Sequence, residues 1–436
     1  MPNLPNPVDR ARLEHLFARV EDKRDDLVEL ARDLVRIPTV NPPGAAYRAC
    51  AEYLGNRLAT HGFAVEFLRA EGALGDTETH PRTNVVGRLE GERAGRCVHF
   101  NGHMDVVEPG SGWTVDPFAG EVRGGRLYGR GACDMKGGLA ASIVALEAIL
   151  EEGTPFAGAM EVSGTVDEES GGYAGVAWLA ERGYFSHPRV DHVIIPEPLN
   201  KDCICLGHRG VWWAEVEVKG RIAHGSMPFL GVSAIRGMAA FLSRVETDLH
   251  PRLGQRRTAM PVIPEGARQS TLNFNSLHGG LAERSATDTF PTALVADSCR
   301  LVLDRRYLME ESEEEVRREV VELLETVKHE QPDFDYELRE LWSVPPTMTD
   351  RDAPVVRALS DGIERALGKP ARHVASPGTY DQKHIVRVGH LRDCVAYGPG
   401  LLELAHQPDE HIEIDDMVAS AKVMAAATLR LLAGEP

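Results

Sequence analysis

The stretch 97–105, CVHFNGHMD, constrains the fold more than any other part of the sequence. Its first half is a short apolar run with β-branched and aromatic residues, which predicts a buried strand that ends at Asn101-Gly102. His103 and Asp105 then follow, and side chains two residues apart in an extended chain point the same way. An imidazole and a carboxylate would therefore leave the carboxyl end of a strand together, where open α/β sheets place their sites. The alternative is a surface histidine beside a surface aspartate in a turn.

The same pattern recurs further along the chain. Asp134 lies in GRGACDMKGG just before an apolar helix, Glu169 follows a predicted strand in TVDEESGG, and Glu197 follows another in IIPEP. Together with His103 they place four potential metal ligands at equivalent strand ends, which predicts a metal cluster. Two alternatives stay open, because Asp134 could be a helix N-cap and residues 167–169 a solvated acidic turn.

Strands that alternate with helices of 12–18 residues predict an α/β domain. From residue 208 the order changes to β-α-β-β-α-β, the order of a ferredoxin-like unit. We therefore predict a mixed-sheet, three-layer α/β catalytic domain formed by residues 1–207 and 344–436. An inserted ferredoxin-like α+β domain, acting as a lid or in dimerisation, would occupy residues 208–343.

Within this scheme, apolar positions at helical spacing predict a first helix over residues 8–36. Residues 105–131 are rich in glycine and proline and predict one long loop, which in a compact domain is usually functional. A second loop, SPGTYDQKHI, is predicted at 376–385, and a third, which carries His406, at 398–417.

Composition excludes several classes of function. The 436 residues have a formal net charge of -18 and no block of lysine or arginine, so we expect no nucleic acid and no anionic membrane as partner. The seven cysteines are odd in number and scattered, which favours a reduced, cytoplasmic protein, with Cys203 and Cys205 as strand packing. We see neither an apolar leader nor a run of 18 apolar residues, and so predict no signal peptide and no membrane helix.

Five motifs, HMDVV, GRGACDMKGG, TVDEESGG, IIPEP and AHQPDEHI, together resemble the metal-dependent aminoacylase/deacylase peptidases. That family includes acetylornithine deacetylase, succinyl-diaminopimelate desuccinylase, aminoacylase and carboxypeptidase G. The resemblance covers nearly the whole chain, with the motifs in the family's order. It implies a homodimer formed through the inserted domain.

The resemblance also implies two divalent metal ions, with zinc first and cobalt or manganese as alternatives. His103 and Glu197 resemble the ligands of one ion, and Glu169 and His406 those of the other. Asp134 resembles the bridge between them, and in the family the peptide bond after this residue is often cis.

The remaining catalytic positions follow from the same resemblance. Asp105 resembles the acid that orients His103, and Glu168 resembles the general base. Because neighbouring side chains on a turn diverge, Glu169 can hold metal while Glu168 faces the attacking water. His224, in KGRIAHGSMP, resembles the residue that stabilises the oxyanion, often across a dimer interface. Its alternative is a histidine in a surface turn.

A small-molecule substrate with a carboxylate is implied as well. Asn273 and Arg306 resemble the residues that grip this carboxylate, and an arginine fork suits that geometry. Arg305 is the competing choice, because strand alternation turns only one of the two inward. Gly378 and Thr379 resemble the loop at the floor of the pocket.

Two departures from the family pattern concern the substrate rather than the metal ligands. Gly225 stands where a serine often follows the histidine, and Tyr380 interrupts the glycine-rich loop. The resemblance thus implies a two-metal hydrolase that cleaves the amide C–N bond of an N-acyl amino acid. The alternatives are a dipeptide, a carbamoyl compound or an aromatic amine as substrate, and a non-catalytic binding protein, against which the intact Glu168 argues.

Overall fold

The structure is a computed structural model that describes residues 10–153, 155–280 and 293–433. Residues 8 and 9, at the start of the predicted first helix, lie outside this part of the chain. Across the described ranges, no helix combines the length and the apolar character that crossing a membrane requires.

The chain divides into two compact units. The first comprises Met1–Gly207, Thr349–Val374 and Tyr380–Pro436, and the second comprises His208–Met348 and Ala375–Thr379. The predicted role of residues 208–343 as a lid or dimerisation domain stays a prediction.

A mixed sheet forms the centre of the first unit. Its strands run in the order β1-β2-β6-β3-β7-β15-β8, with β6, β3, β7 and β15 parallel to one another and the outer pairs antiparallel. A small sheet, β16-β5-β4, lies apart from it. The strands of the chain are β1 (Ala64–Arg69), β2 (Thr83–Glu90), β3 (Arg93–His103), β4 (Glu121–Arg123), β5 (Arg126–Tyr128), β6 (Ala157–Thr165), β7 (His192–Ile195), β8 (Cys203–His208), β9 (Gly210–Lys219), β10 (Thr271–Gly279), β11 (Ser298–Tyr307), β12 (Asp335–Val344), β13 (Thr347–Met348), β14 (Arg372–Ser376), β15 (Cys394–Ala396) and β16 (His411–Glu413).

Helices cover both faces of the central sheet, which gives the predicted three layers. Strand alternation divides the core, since Ile194 packs with the long helices on one face while Val193 and Ile195 face the short helices on the other. The helices of the chain are α1 (Arg10–Asp22), α2 (Arg24–Arg36), α3 (Tyr47–Thr60), α4 (Gly137–Glu152), α5 (Trp178–Ala180), α6 (Ala234–Arg244), α7 (His250–Leu253), α8 (Glu313–Glu330), α9 (Pro354–Leu367), α10 (Gln382–Arg387) and α11 (Ile414–Ala433).

The second unit has the predicted ferredoxin-like fold. Its four-stranded antiparallel sheet has the order β10-β11-β9-β12, connected as β9-α6-β10-β11-α8-β12. Residues of α6 and α8 pack with alternate residues of the strands in a separate core. The start of α8 is fixed locally, because Ser312 and Glu315 form a reciprocal capping box.

Some element boundaries differ from those predicted. The predicted helix 8–36 is two helices, because the backbone at Lys23 leaves the helical region (φ -89°, ψ 13°). The predicted loop 105–131 contains the hairpin β4-β5, to which the distant strand β16 adds. The loop predicted at 376–385 passes into α10, because its proline and glycine precede the helix.

Candidate metal centre

Two groups of histidine and carboxylate side chains come together in the first unit. One group is His103, Asp134 and Glu197, and the other is Asp134, Glu169 and His406. Within each group the nearest ligand atoms lie within 4.8 Å of one another, and Asp134 belongs to both. The five side chains predicted as ligands therefore lie in two clusters that share the predicted bridge.

The predicted end of the first strand needs correction, because β3 continues through Asn101 and Gly102 to His103. The imidazole of His103 is buried, with Nδ1 3.0 Å from the carbonyl oxygen of Asp105 and Nε2 3.0 Å from Oδ1 of Asp134. If Nδ1 donates to the carbonyl, Nε2 presents a lone pair to a carboxylate. Two acceptors facing each other need a proton or a cation between them, so this geometry fits a metal ligand.

The carboxylate of Asp105 holds the acidic turn in place. Its Oδ1 accepts the backbone N–H of Glu168 and its Oδ2 that of Glu169, both at 3.1 Å. Asn41 donates to the same Oδ2 at 3.1 Å. Burial raises the pKa of Asp105 to about 6. The carboxylate lies 3.6 Å from Nδ1 of His103, so its closest polar contacts are with the turn rather than with the histidine that it was predicted to orient.

Asp134 sits in a loop fixed by a carboxylate that the sequence reasoning missed. Oε1 of Glu410 accepts the backbone N–H groups of Gly131, Cys133 and Asp134 at 2.9–3.1 Å, and its other oxygen pairs with Arg130. Asp134 is not the N-cap of α4, since that position is Lys136. The Asp134–Met135 peptide bond is cis, as the resemblance predicted.

The electrostatics of the cluster favour a cation. Burial, together with the charge of Asp134, raises the pKa of Glu197 well above its usual value. Burial likewise raises the pKa of Glu169 to about 7, although Nε2 of His406 lies 3.0 Å from its Oε1. Carboxyl groups crowded in this way bind protons readily unless a cation takes the place of those protons. The donor set of imidazoles and carboxylates suits zinc, cobalt or manganese.

The acidic turn presents Glu168 and Glu169 differently. Asp167, which precedes them, has the left-handed backbone (φ +63°) and is held by Arg82 and Tyr47 at 2.9 and 2.8 Å. Glu169 turns toward His406, whereas Oε1 of Glu168 accepts a hydrogen bond from Lys383 at 3.1 Å. The turn is thus largely buried and paired rather than solvated.

The other predicted site residues lie in the second unit. His224 is exposed, and its Nδ1 contacts the backbone N–H and the hydroxyl of Ser226 at 3.1 and 2.7 Å. Gly378 and Thr379 are half-buried, and the amide of Gly378 donates to Ser376.

The second unit also separates the two competing arginines. Arg305 is fully buried and paired with Glu311 at 2.6 Å. Arg306, on the opposite face of β11, is partly exposed and paired with Asp304. Asn273 shares that face, because it lies opposite Asp304 in the sheet. Arg306 is therefore the arginine of the two that is accessible to a ligand.

Comparison with known proteins identifies the family. The sequence pattern of peptidase family M20/M25/M40 matches residues 99–430. The chain belongs to this family. A succinyl-diaminopimelate desuccinylase of Xylella fastidiosa (strain M23) is 29% identical over 418 residues, covering 94% of this chain and 99% of that protein. The protein of the same description from Pseudomonas syringae pv. syringae is 30% identical over 413 residues, covering 93% and 99%.

Two solved structures have the same fold. Human carnosine dipeptidase 1 superposes with a TM-score of 0.76 at 20% identity, covering 97% of this chain and 99% of that one. A Bacillus subtilis protein described as a dinuclear metal binding peptidase of the M20 family superposes with a TM-score of 0.66 at 16% identity, covering 95% and 99%. This membership makes the chain a hydrolase of amide bonds.

Asn41, Lys383 and Glu410 are among the residues around the cluster that the sequence analysis did not predict. Glu410 lies four residues after His406 inside a recognised motif, so the motif located it without giving its role. Asn41 and Lys383 carry no such signal, because their partners are distant in sequence.

Proposed function

We propose that this enzyme is a two-metal hydrolase that cleaves the amide C–N bond of an N-acyl amino acid, with a succinyl group as the first candidate. The observation that supports it most is the pair of ligand groups that share Asp134. The relatives described as desuccinylases support the acyl class.

In this proposal, His103 and Glu197 hold one ion, Glu169 and His406 the other, and Asp134 both. Two divalent ions there would polarise the substrate carbonyl and acidify a shared water. Zinc is the proposed native metal, with cobalt or manganese as alternatives.

Glu168 is the proposed general base. It takes a proton from the attacking water and passes it to the leaving amine, so that the C–N bond breaks as the new C–O bond is retained. The proposed role of Asp105 is to hold the turn in place, since its carboxylate accepts hydrogen bonds from the backbone N–H groups of Glu168 and Glu169.

The second unit supplies the proposed substrate contacts. Asn273 and Arg306, which share one face of the sheet, would bind the carboxylate of a small-molecule substrate, and Gly378 and Thr379 would line its pocket. His224, exposed in the second unit, would stabilise the oxyanion across the interface of a homodimer. We also propose a cytoplasmic location, because the seven cysteines are odd in number, scattered along the chain and buried.

Tyr380 bears on the alternative substrates. Its ring is buried in the core of the first unit, and its hydroxyl donates to Gln382 at 2.7 Å. The departure from the family pattern at Tyr380 is therefore accommodated within the core, and we place the N-acyl amino acid ahead of an aromatic amine, a carbamoyl compound or a dipeptide.

The test uses metal-stripped protein to which zinc, cobalt or manganese is returned separately. The panel comprises N-succinyl, N-acetyl, N-formyl and N-carbamoyl amino acids, dipeptides and amides of aromatic amines. We expect metal-dependent cleavage, fastest for an N-succinyl amino acid. Cleavage that is unaffected by metal removal would rule out the two-metal proposal, and a preference for another class would correct the acyl group.

The variant Glu168→Gln tests the base. We expect kcat to fall by about 10²–10⁴-fold, the usual contribution of a general base, with metal content unchanged. Glu181→Gln is the matched control, because its side chain is exposed and its ion pair is with the neighbouring Arg182. A Glu168→Gln enzyme with normal kcat would show that another group accepts the proton.

A further inference from the structure

Lys383 is a buried lysine beside the proposed base. It lies in α10, is 4% exposed, and donates from Nζ to Oε1 of Glu168 at 3.1 Å. A lysine is seldom buried to this extent without a specific partner. The ion pair joins residues that are 215 positions apart, so the fold rather than local sequence creates it.

Two carboxylates keep Lys383 charged. Burial by itself lowers the pKa of Lys383, but the charges of Glu168 and Asp381 outweigh it and raise the pKa above its usual value. The side chain is thus an ammonium group with three donors and no acceptor. It can hold a carboxylate oxygen but cannot take a proton from one.

A chain of buried polar groups fixes the residues behind Lys383. Oδ2 of Asp381 accepts from Asn101 at 3.0 Å, Oδ1 of Asn101 accepts from Ser163 at 2.8 Å, and the hydroxyl of Ser163 contacts Nε2 of His99 at 2.7 Å. His99 in turn lies 3.3 Å from Glu161. These groups stand on the paired central strands β3 and β6, so the start of α10 is anchored to the rigid centre of the sheet.

We propose that Lys383 is a positioning residue for Glu168. Its ammonium group binds Oε1 and thereby fixes the rotamer of the carboxylate, which leaves Oε2 to accept the proton of the attacking water. This inference rests on the proposed function, in which Glu168 is the base. Orientation matters because a small misplacement of a reacting group can cost two orders of magnitude in rate.

The stability of the folded protein does not by itself explain why this ion pair is buried. Replacing a buried ion pair with apolar residues of similar volume is often neutral or stabilising, although removing one partner alone is costly. A lysine at this position that served only the fold could therefore be replaced together with its partner without consequence. The contact with the base accounts for its presence there.

The experiment compares Lys383→Met and Lys383→Arg with the unmodified holoenzyme. For Lys383→Met we expect kcat to fall by about 10²-fold, as for a misplaced catalytic group, while KM changes by less than about threefold. Metal content per chain should stay unchanged, because no predicted ligand is altered. Lys383→Arg keeps the charge and the donors and should recover most of the lost kcat. Lys422→Met is the control, because its ammonium pairs with Glu21 on α1.

A double variant shows whether Lys383 acts through Glu168. In the Glu168→Gln background, adding Lys383→Met should change the residual turnover by less than about twofold, because residues that act as one unit are non-additive. A further large loss in that background would overturn the positioning role. Should Lys383→Met fail to fold, Lys383→Gln, which removes the charge and is too short to reach Glu168 as lysine does, replaces it with the same expected loss.

Other outcomes separate this inference from the proposed function. Normal kcat in Lys383→Met with loss of turnover in Glu168→Gln would overturn the inference and leave the base in place. Normal kcat in Glu168→Gln would overturn the base and the inference together. If Lys383→Arg loses bound metal, or melts at a lower temperature, in proportion to its loss of kcat, the role of Lys383 is structural only.

Discussion

Asp134 is the residue on which both candidate metal groups depend. Its carboxylate is 3.0 Å from His103 and 3.6 Å from His406. Glu410 holds the backbone around this residue, because it accepts hydrogen bonds from three N–H groups, those of Gly131, Cys133 and Asp134. Its other oxygen pairs with the guanidinium of Arg130. A carboxylate outside both candidate groups thus holds the backbone that carries the residue common to them.

We expect Glu410→Ala to weaken both metal groups at once. It leaves Arg130 and three backbone N–H groups buried without their partner, which should lower the free energy of unfolding by about 3–5 kcal/mol. Thermal unfolding and metal content per chain measure the two effects. Glu413→Ala, which removes an exposed partner of Arg126, is the control and should cost about 0–1 kcal/mol. Full metal binding in Glu410→Ala would contradict the positioning of Asp134 by Glu410.

Among the secondary-structure elements, the packing of α4 beside the segment after β7 brings together two segments that carry predicted metal ligands. Asp134 precedes α4, and Glu197 follows Pro196. Gly138 makes their close approach possible, because a Cβ built there would lie 1.9 Å from the carbonyl oxygen of Pro196. The double glycine that opens α4 is therefore required by packing rather than by a turn.

Gly138→Ala should destabilise the protein although alanine favours helices. Helix propensity would add about 1 kcal/mol of stability. Overpacking against a backbone carbonyl should cost about 1–3 kcal/mol and shift Glu197. Denaturant unfolding and metal titration measure both effects. Gly266→Ala, where a Cβ meets nothing within 4 Å, is the control and should stay within about 0.5 kcal/mol. Equal stability and metal affinity in the two variants would disprove the packing argument.

In the whole molecule, the predicted site residues and the hydrophobic cores are divided between the two compact units. All five predicted metal ligands and Glu168 belong to the first unit, whereas His224, Asn273 and Arg306 belong to the second. Each unit has its own hydrophobic core. Metal binding and the stability of the second unit should therefore respond to different substitutions.

Leu324→Ala tests this separation. The side chain is fully buried in the core of the second unit, so its truncation should cost about 2–5 kcal/mol. Metal affinity should be unchanged under conditions where the protein stays folded, as measured by metal titration alongside denaturant unfolding. Leu341→Ala, at a side chain that is 41% exposed on β12, is the control and should cost about 0.5 kcal/mol. Loss of metal by the folded Leu324→Ala protein would show that the two units are coupled.

The fold class could be predicted from the sequence, because both the alternation of strands with helices and the β-α-β-β-α-β order depend on local periodicity. The sequence also predicted which histidine and acidic side chains come together in the two candidate groups, since these residues occur in recognisable motifs. It failed where distant segments decide the structure. The loop 105–131 contains a hairpin because β16, nearly three hundred residues further on, pairs with β5.

How the segments that carry the predicted ligands are held depends on contacts between distant parts of the chain. Glu410, Asn41 and Lys383 each bind a group far away in the chain, and no local pattern distinguishes a buried, paired charge from a solvated one. The choice between Arg305 and Arg306 likewise required the register of β11, which buries one and leaves the other accessible. Periodicity is a property of neighbouring residues, whereas the burial of charge depends on which segments the fold brings together.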